Sequence, residues 1–415
     1  TVSNSIFIGN QAGKAQSTNG QNIAIGDGAM CCGGSGYHNI ALGYKSMGTC
    51  ATTGFQNVSI GYCASPKITD GDNNVAIGCG AALNITSAQY MVAIGKEAGL
   101  CNTTSEANIF IGCGAGKCLT TGYSNIYLGH SAGFSQGVAG NANHNIALGS
   151  QAGRANSGGV GNIFIGKEAG KCQTTASRSI FIGCYAGKCR LTGNENIVLG
   201  YLAMRGNSTT SSNTGAINIA IGNEAGRDIT TGNYNVLFGY HAGKCLTTGS
   251  TNLIFGGAAG SSTMTGSNNI IMGHCSAMCI TSASNNILIG DCVAVMNTVT
   301  GTYNTAVGKQ SLCKLSTGSF NVALGWMAGN NTSDQSANTF IGMSAGSSTN
   351  QYGNTALGHC AGRRNTDGAQ NVAIGQAAGP NVAGTAGIGT GSYNVHVGAC
   401  AGCKSTLGDS NVFLG

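Results

Sequence analysis

Cysteines are the residues of this sequence best suited to do chemistry, because the 415-residue chain carries 19 of them. The two members of each candidate pair are three to five residues or 13 to 17 residues apart, and so many cysteines are typical of a disulfide framework in an oxidising compartment. The odd count leaves at least one thiol free or bonded between chains, and Cys245 is the candidate. The candidate disulfide cysteines are Cys63, Cys79, Cys101, Cys113, Cys118, Cys172, Cys184, Cys189, Cys275, Cys279, Cys292, Cys400 and Cys403.

Two His-Cys dipeptides, His274-Cys275 and His359-Cys360, raise the alternative of a metal site. A zinc site needs four converging ligands, usually supplied as two close pairs. Only one of these dipeptides has a further cysteine nearby, Cys279. The spacing therefore favours disulfides, and we expect neither a metal nor another cofactor.

The sequence offers little for catalysis. The segment from Gly112 to Lys117 resembles a phosphate loop, but it has three residues where that loop needs four and is followed by Cys118 instead of Ser or Thr. The acidic residues total 13, and Glu97, Glu168 and Glu224 are too far apart in sequence to predict a carboxylate pair. We therefore expect that the protein is not an enzyme.

A single short repeat positions all of these residues. The unit reads N-[IV]-[AF]-[IL]-G-x-x-A-G-x-x-x-T-T-G-x-x and occurs about 24 times, mostly with a period of 17 residues. That period is too short for paired-helix repeats and suits one turn of a parallel β-solenoid, or β-roll. The apolar residues before the glycine predict one strong strand per coil, and the following polar residues predict turns and a weaker strand. The sequence thus predicts a single all-β domain over residues 1–415.

The columns of the repeat predict how each coil is oriented. The first column is nearly all Asn, which could form a ladder of amide hydrogen bonds or tolerate a left-handed corner. Side chains alternate along a strand, so the second and fourth positions, such as Ile23 and Ile25, are expected to fill the interior. The third position would then face outwards, although it is also apolar.

An apolar outer column predicts association of copies, most simply as a homotrimer. The alternative is that the third position packs inside a flattened coil and leaves a monomer. The expected oligomer face consists of Phe7, Phe110, Tyr127, Phe164, Phe181, Val198, Leu237, Ile254, Ile271 and Leu288.

Units such as Asn22 to Gly26 and Asn74 to Gly78 resemble the head repeats of trimeric autotransporter adhesins. The segment 235–251 is similar to the Gly-, Asn- and Thr-rich repeats of phage and viral tail fibres. The resemblance covers essentially the whole chain. It implies a left-handed, trimeric β-roll displayed outside a cell, on a cell surface or on a virion, with an adhesive or shaft role. The heavy cysteine content departs from that pattern.

Composition limits the partners. Charged residues make up 8% of the chain and the net charge is +6, which does not predict nucleic-acid binding. No apolar run is long enough to span a membrane as a helix. A column of basic residues could face anionic glycans, although a solvated ridge explains it as well. These residues are Lys14, Lys117, Arg154, Lys171, Lys188, Arg227, Lys244 and Arg363.

Three coils are lengthened, at 134–144, 205–217 and 380–393, and insertions in a solenoid often carry its binding role. We expect these loops to recognise a cell-surface glycan or host receptor. Because the chain begins and ends within the repeat, we also expect end-to-end filaments or a longer parent chain. The predicted function is a structural extracellular fibre subunit. The alternatives are an ice-binding protein using its Thr-Thr pairs and a polysaccharide-binding or polysaccharide-cleaving solenoid.

Overall fold

A computed structural model describes residues 4–17, 20–134, 142–206, 213–379, 391–405 and 408–415. These residues form two compact units, Thr1–Thr214 and Gly215–Gly415, each of which is described by itself. The central parts of the three lengthened coils, 135–141, 207–212 and 380–390, lie outside the described residues. The single domain over residues 1–415 and the role of those loops therefore stay predictions.

Each unit contains twelve strands of three residues. The first unit holds β1 (Ile6–Ile8), β2 (Ile23–Ile25), β3 (Ile40–Leu42), β4 (Val58–Ile60), β5 (Val75–Ile77), β6 (Val92–Ile94), β7 (Ile109–Ile111), β8 (Ile126–Leu128), β9 (Ile146–Leu148), β10 (Ile163–Ile165), β11 (Ile180–Ile182) and β12 (Ile197–Leu199). The second unit holds β13 (Ile219–Ile221), β14 (Val236–Phe238), β15 (Leu253–Phe255), β16 (Ile270–Met272), β17 (Ile287–Ile289), β18 (Thr305–Val307), β19 (Val322–Leu324), β20 (Thr339–Ile341), β21 (Thr355–Leu357), β22 (Val372–Ile374), β23 (Val395–Val397) and β24 (Val412–Leu414).

Within each unit, successive strands pair in parallel and in register. Phe164 of β10, for example, lies beside Phe181 of β11, 17 residues further on. The fold is therefore the predicted all-β parallel solenoid with a period of about 17 residues. The prediction of a weaker second strand was wrong. That side of the coil is mostly turns, with isolated bridges such as Gln16 to Gly34 and Leu246 to Met264. Among the described residues there is no helix, and hence none that could cross a membrane.

The strands face the opposite way from the prediction. The third position is the interior one: Phe164 is 1% exposed, whereas Ile163 and Ile165 on either side of it are only half-buried. The eighth column of the repeat, mostly Ala, is also buried, as shown by Ala169. The twelfth column completes the interior with side chains such as Ile85, which is fully buried.

The first column forms the amide ladder. The Asn162 side chain donates to Oδ1 of Asn145 at 3.1 Å and to the carbonyl oxygen of Ala176 at 2.8 Å, and its own Oδ1 accepts from the backbone N–H of Ser179 at 3.0 Å. The left-handed corner lies one residue earlier, as at Ser124 with φ 54°. The ladder hypothesis is therefore confirmed, and the corner hypothesis was wrong for the Asn itself.

The fifth position requires glycine for two reasons. At Gly166 the backbone has φ +125°, a region that residues with a side chain rarely adopt. A Cβ atom there would also lie 2.6 Å from the carbonyl oxygen of Gly183 in the next coil. The glycine column thus lets successive coils approach at strand spacing.

Candidate functional surfaces

The second and fourth strand positions together form an exposed apolar surface, which we call the outer strand face. Its residues range from half-buried, such as Ile165 and Ile182, to clearly exposed, such as Ile111 at 38% and Phe238 at 50%. The Phe238 and Phe255 rings of the second unit stack there, with centroids 5.5 Å apart. A sheet face that meets only water is normally polar. The apolar character of this face therefore calls for an explanation.

The predicted oligomer-face residues do not lie on this surface. Phe110, Phe181, Val198, Leu237, Ile254, Ile271 and Leu288 are fully buried in their own chain, Tyr127 and Phe164 are 1% exposed, and Phe7 is half-buried. Their partners are each other, since the Phe110 and Tyr127 rings stack at 5.5 Å. Because they are covered within one chain, they cannot contact another copy, and that assignment was wrong.

All 19 cysteines are free thiols in the structure. Most are half-buried, and the eleventh position of the repeat forms a column of them that we call the cysteine column. In two places this column has thiols on successive coils where one influences the pKa of the other, Cys189 that of Cys172 and Cys101 that of Cys118. Disulfides stay a prediction, for which these cross-coil contacts supply two candidate pairs.

The two thiol pairs differ in their electrostatics. The hydrogen bond from Cys189, together with nearby Lys171 and Lys188, lowers the pKa of Cys172 to about 6, although burial opposes the shift. In the other pair, burial raises the pKa of Cys118, and the thiol of Cys101 adds to that rise. The interaction with Cys172 and burial raise the pKa of Cys189. The same column therefore provides one pair with a single ionisable thiol, Cys172, and one pair in which burial favours the neutral form of Cys118.

The basic column is largely paired with acids and does not form a free ridge. Lys117 lies 2.6 Å from Glu97, and Lys188 lies 2.7 Å from Glu168. In the second unit Lys244 lies 2.6 Å from Glu224, which also contacts Arg227 at 3.0 Å. These contacts lower the pKa of the Glu97 and Glu224 carboxyls. The pairing weakens the case for an anionic glycan on this column.

The structure brings together neither a carboxylate pair nor a metal-ligand set from the predicted candidates. Glu97, Glu168 and Glu224 each contact cations of their own neighbourhood. In His274-Cys275 and His359-Cys360 the ring and thiol are 3.5 and 3.3 Å apart. In the part of the chain that the structure describes, no three His, Cys, Asp or Glu residues converge as metal ligands.

The two members of a Thr-Thr pair lie in different environments. The first Thr bonds along the column, as Thr230 Oγ1 donates to the carbonyl oxygen of Thr247 at 3.2 Å. The second Thr, such as Thr104 or Thr175, is exposed. In pairs such as these only the second Thr is exposed, which is a poor basis for a flat Thr-Thr array.

One signal in the sequence could have revealed the true orientation. The eighth and ninth positions are mostly Ala and Gly, and they pack against the third position: a Cβ at Gly170 would lie 2.4 Å from the Phe164 ring. Residues this small leave room for a large partner, and the third position supplies it.

No protein-family model, curated protein or solved structure gives a significant match to this chain.

Proposed function

We propose that this protein is a self-associating structural subunit of an extracellular fibre, with an adhesive or shaft role and no catalytic function. The observation that carries the proposal is the outer strand face, two columns of mostly apolar side chains that their own chain leaves partly uncovered. Continuous apolar stripes of this kind mark association surfaces.

The occupant we propose for this face is a second copy of the chain. Along each unit the apolar side chains recur at the strand spacing of about 4.8 Å, and another copy presents the same spacing. Twelve three-residue strands give each unit a footprint on the order of 600 Å², from about 4.8 Å per strand and about 3.3 Å per residue. A standard interface buries about 800 Å² per partner, so one unit supplies most of it. Three copies around an axis, the homotrimer, is the arrangement we propose.

The extracellular and adhesive parts of the proposal rest on the sequence. Resemblance to adhesin head repeats and tail-fibre repeats supports display on a cell surface or a virion, and a glycan or host receptor is the proposed target. The low charged fraction of 8% and the repeated coil suit a mechanical role.

Self-association can be tested by placing charges on the outer strand face. Ile165→Glu combined with Ile182→Lys places opposite charges side by side on adjacent coils. The two charges attract each other, so the single chain stays folded, but burying them against a second copy is unfavourable. Multi-angle light scattering should give about three times the 41.3 kDa chain mass for the unmodified protein. The double variant is expected to weaken association at least tenfold.

Thr175→Glu combined with Thr192→Lys is the matched control, because these exposed residues also lie one coil apart but away from the strand. This control should keep the mass of the unmodified protein. A monomeric unmodified protein at tens of micromolar would refute the proposal. So would equal dissociation in both double variants.

A further inference from the structure

Cys172 and Cys189 lie in the cysteine column, at the same repeat position and one coil apart. Their backbones are held at strand spacing, since the Cys172 N–H donates to the carbonyl oxygen of Lys188 at 2.9 Å. The strand spacing of about 4.8 Å lies within the Cα separation that a disulfide accepts. Both side chains are half-buried, so small reagents can reach them.

We infer that Cys172 and Cys189 form a redox-active dithiol pair, which a low-molecular-weight disulfide such as oxidised glutathione converts into a disulfide joining two successive coils. The pair lies on a different column from the outer strand face. The inference therefore holds for the single chain and does not depend on self-association.

The charges around the pair explain why it is reactive. Lys171 and Lys188 come from the two coils that carry the cysteines, and both contact Glu168, at 3.3 and 2.7 Å. Two cations thus share one carboxylate, and a net positive charge remains beside the thiols. On the coil after Cys189, the charge of Arg205 opposes the rise in the pKa of Cys189. On the coil before Cys172, Ala155 takes the position of the cysteines and Arg154 that of the lysines. A thiolate is the attacking species in disulfide exchange.

The Cys101 and Cys118 pair provides a natural comparison within the same unit. It has the same spacing, and the Cys101 N–H donates to the carbonyl oxygen of Lys117 at 2.8 Å. Leu100 stands where the other pair has Lys171, and the remaining Lys117 is held by Glu97 at 2.6 Å. One cation is therefore neutralised by one carboxylate, and no excess charge stabilises a thiolate.

The reaction proceeds in two exchanges. The Cys172 thiolate attacks one sulfur of oxidised glutathione, forming a mixed disulfide and releasing one glutathione thiolate. Cys189 then loses its proton, and its sulfur attacks Sγ of Cys172. This step forms the Cys172–Cys189 disulfide and releases the second glutathione thiolate, so two protein thiols are oxidised and one glutathione disulfide is reduced.

The first test measures the ionisation of individual thiols in the reduced, folded chain. Iodoacetamide labelling followed by peptide mass spectrometry gives the alkylation rate of each cysteine from pH 5 to 9. The Cys172 rate should have its midpoint near pH 6, and at pH 6 it should exceed the Cys118 rate by about tenfold, because its larger thiolate fraction outweighs the lower nucleophilicity of an acidic thiol. Equal profiles for Cys172 and Cys118 would overturn the inference.

The second test uses oxidised glutathione on variants. Cys189→Ser should stop at the mixed disulfide and retain glutathione on Cys172, whereas Cys118→Ser, the matched variant, should leave Cys101 unmodified. The unmodified chain should yield a peptide linked through Cys172 and Cys189. The inference would be contradicted if that link formed only after unfolding in urea. It would also be contradicted if the two variants retained equal amounts of glutathione.

Discussion

The two faces of most strands are both apolar in sequence but lie in different environments. In β10, Phe164 packs inside the coil, while Ile163 and Ile165 remain half-buried on the outer strand face. The difference is set by the other side of the coil, where Ala169 and Gly170 leave room for one large side chain. The comparison shows that hydrophobicity alone does not orient a strand, and that the size of the opposing residues decides.

The largest expected effect comes from truncating the interior face. Phe164→Ala should lower the free energy of unfolding by about 3–5 kcal/mol, since it leaves a cavity that the neighbouring coils cannot fill. In the dissociated single chain, Ile163→Ala, its neighbour on the outer strand face, should cost about 1 kcal/mol or less because water already reaches that side chain there. Urea denaturation followed by circular dichroism measures both, and similar losses for the two variants would contradict the assigned orientation.

A second prediction concerns how close the coils approach. Gly166→Ala should cost about 3 kcal/mol, because the added Cβ meets the Gly183 carbonyl oxygen and the backbone is in a region unfavourable for alanine. Gly158→Ala is the control: its Cβ would meet nothing closer than the Thr175 methyl group at 3.7 Å, and its φ is not in the restricted region. That variant should be neutral or up to about 1 kcal/mol more stable. Equal losses in urea denaturation would show that coil spacing does not restrict the fifth position.

The Asn ladder extends the comparison between the interior and the outer strand face, because it is a polar column within the interior. Asn162→Ala should cost about 1–3 kcal/mol, since it leaves the backbone N–H of Ser179 without its acceptor. The protein already contains a shorter substitute in this column: the Ser179 hydroxyl accepts from the Asn196 N–H at 3.3 Å, compared with 2.9 to 3.0 Å at neighbouring Asn steps. Ser179→Asn should therefore be stabilising in the same denaturation measurement, and a destabilised variant would argue against the ladder.

The sequence allowed the period and the parallel solenoid to be predicted, because each depends on residues that recur in every coil. The Asn ladder was one of two alternatives that the sequence left open. Interior and exterior could not be assigned from alternation alone, since Ile163, Phe164 and Ile165 are all apolar. The lowered pKa of Cys172 could not be predicted from the sequence either. It depends on how Lys188 of the next coil shares Glu168 with Lys171, which is a three-dimensional arrangement.

The smallest expected effect tests the interior face with a titratable side chain. His396 occupies the third position of β23, is 2% exposed and stacks on Phe413 with ring centroids 4.7 Å apart. Burial lowers its pKa below the ordinary value of 6.5, so the unfolded chain takes up a proton before the folded chain does. Stability should therefore be constant above that value and decrease as the pH falls below it, until the folded histidine is protonated too. Urea midpoints from pH 8 to 5 should show this decrease in the unmodified protein and a smaller one in His396→Phe, because phenylalanine fits the same column without titrating. An identical pH dependence in both proteins would place His396 outside the interior.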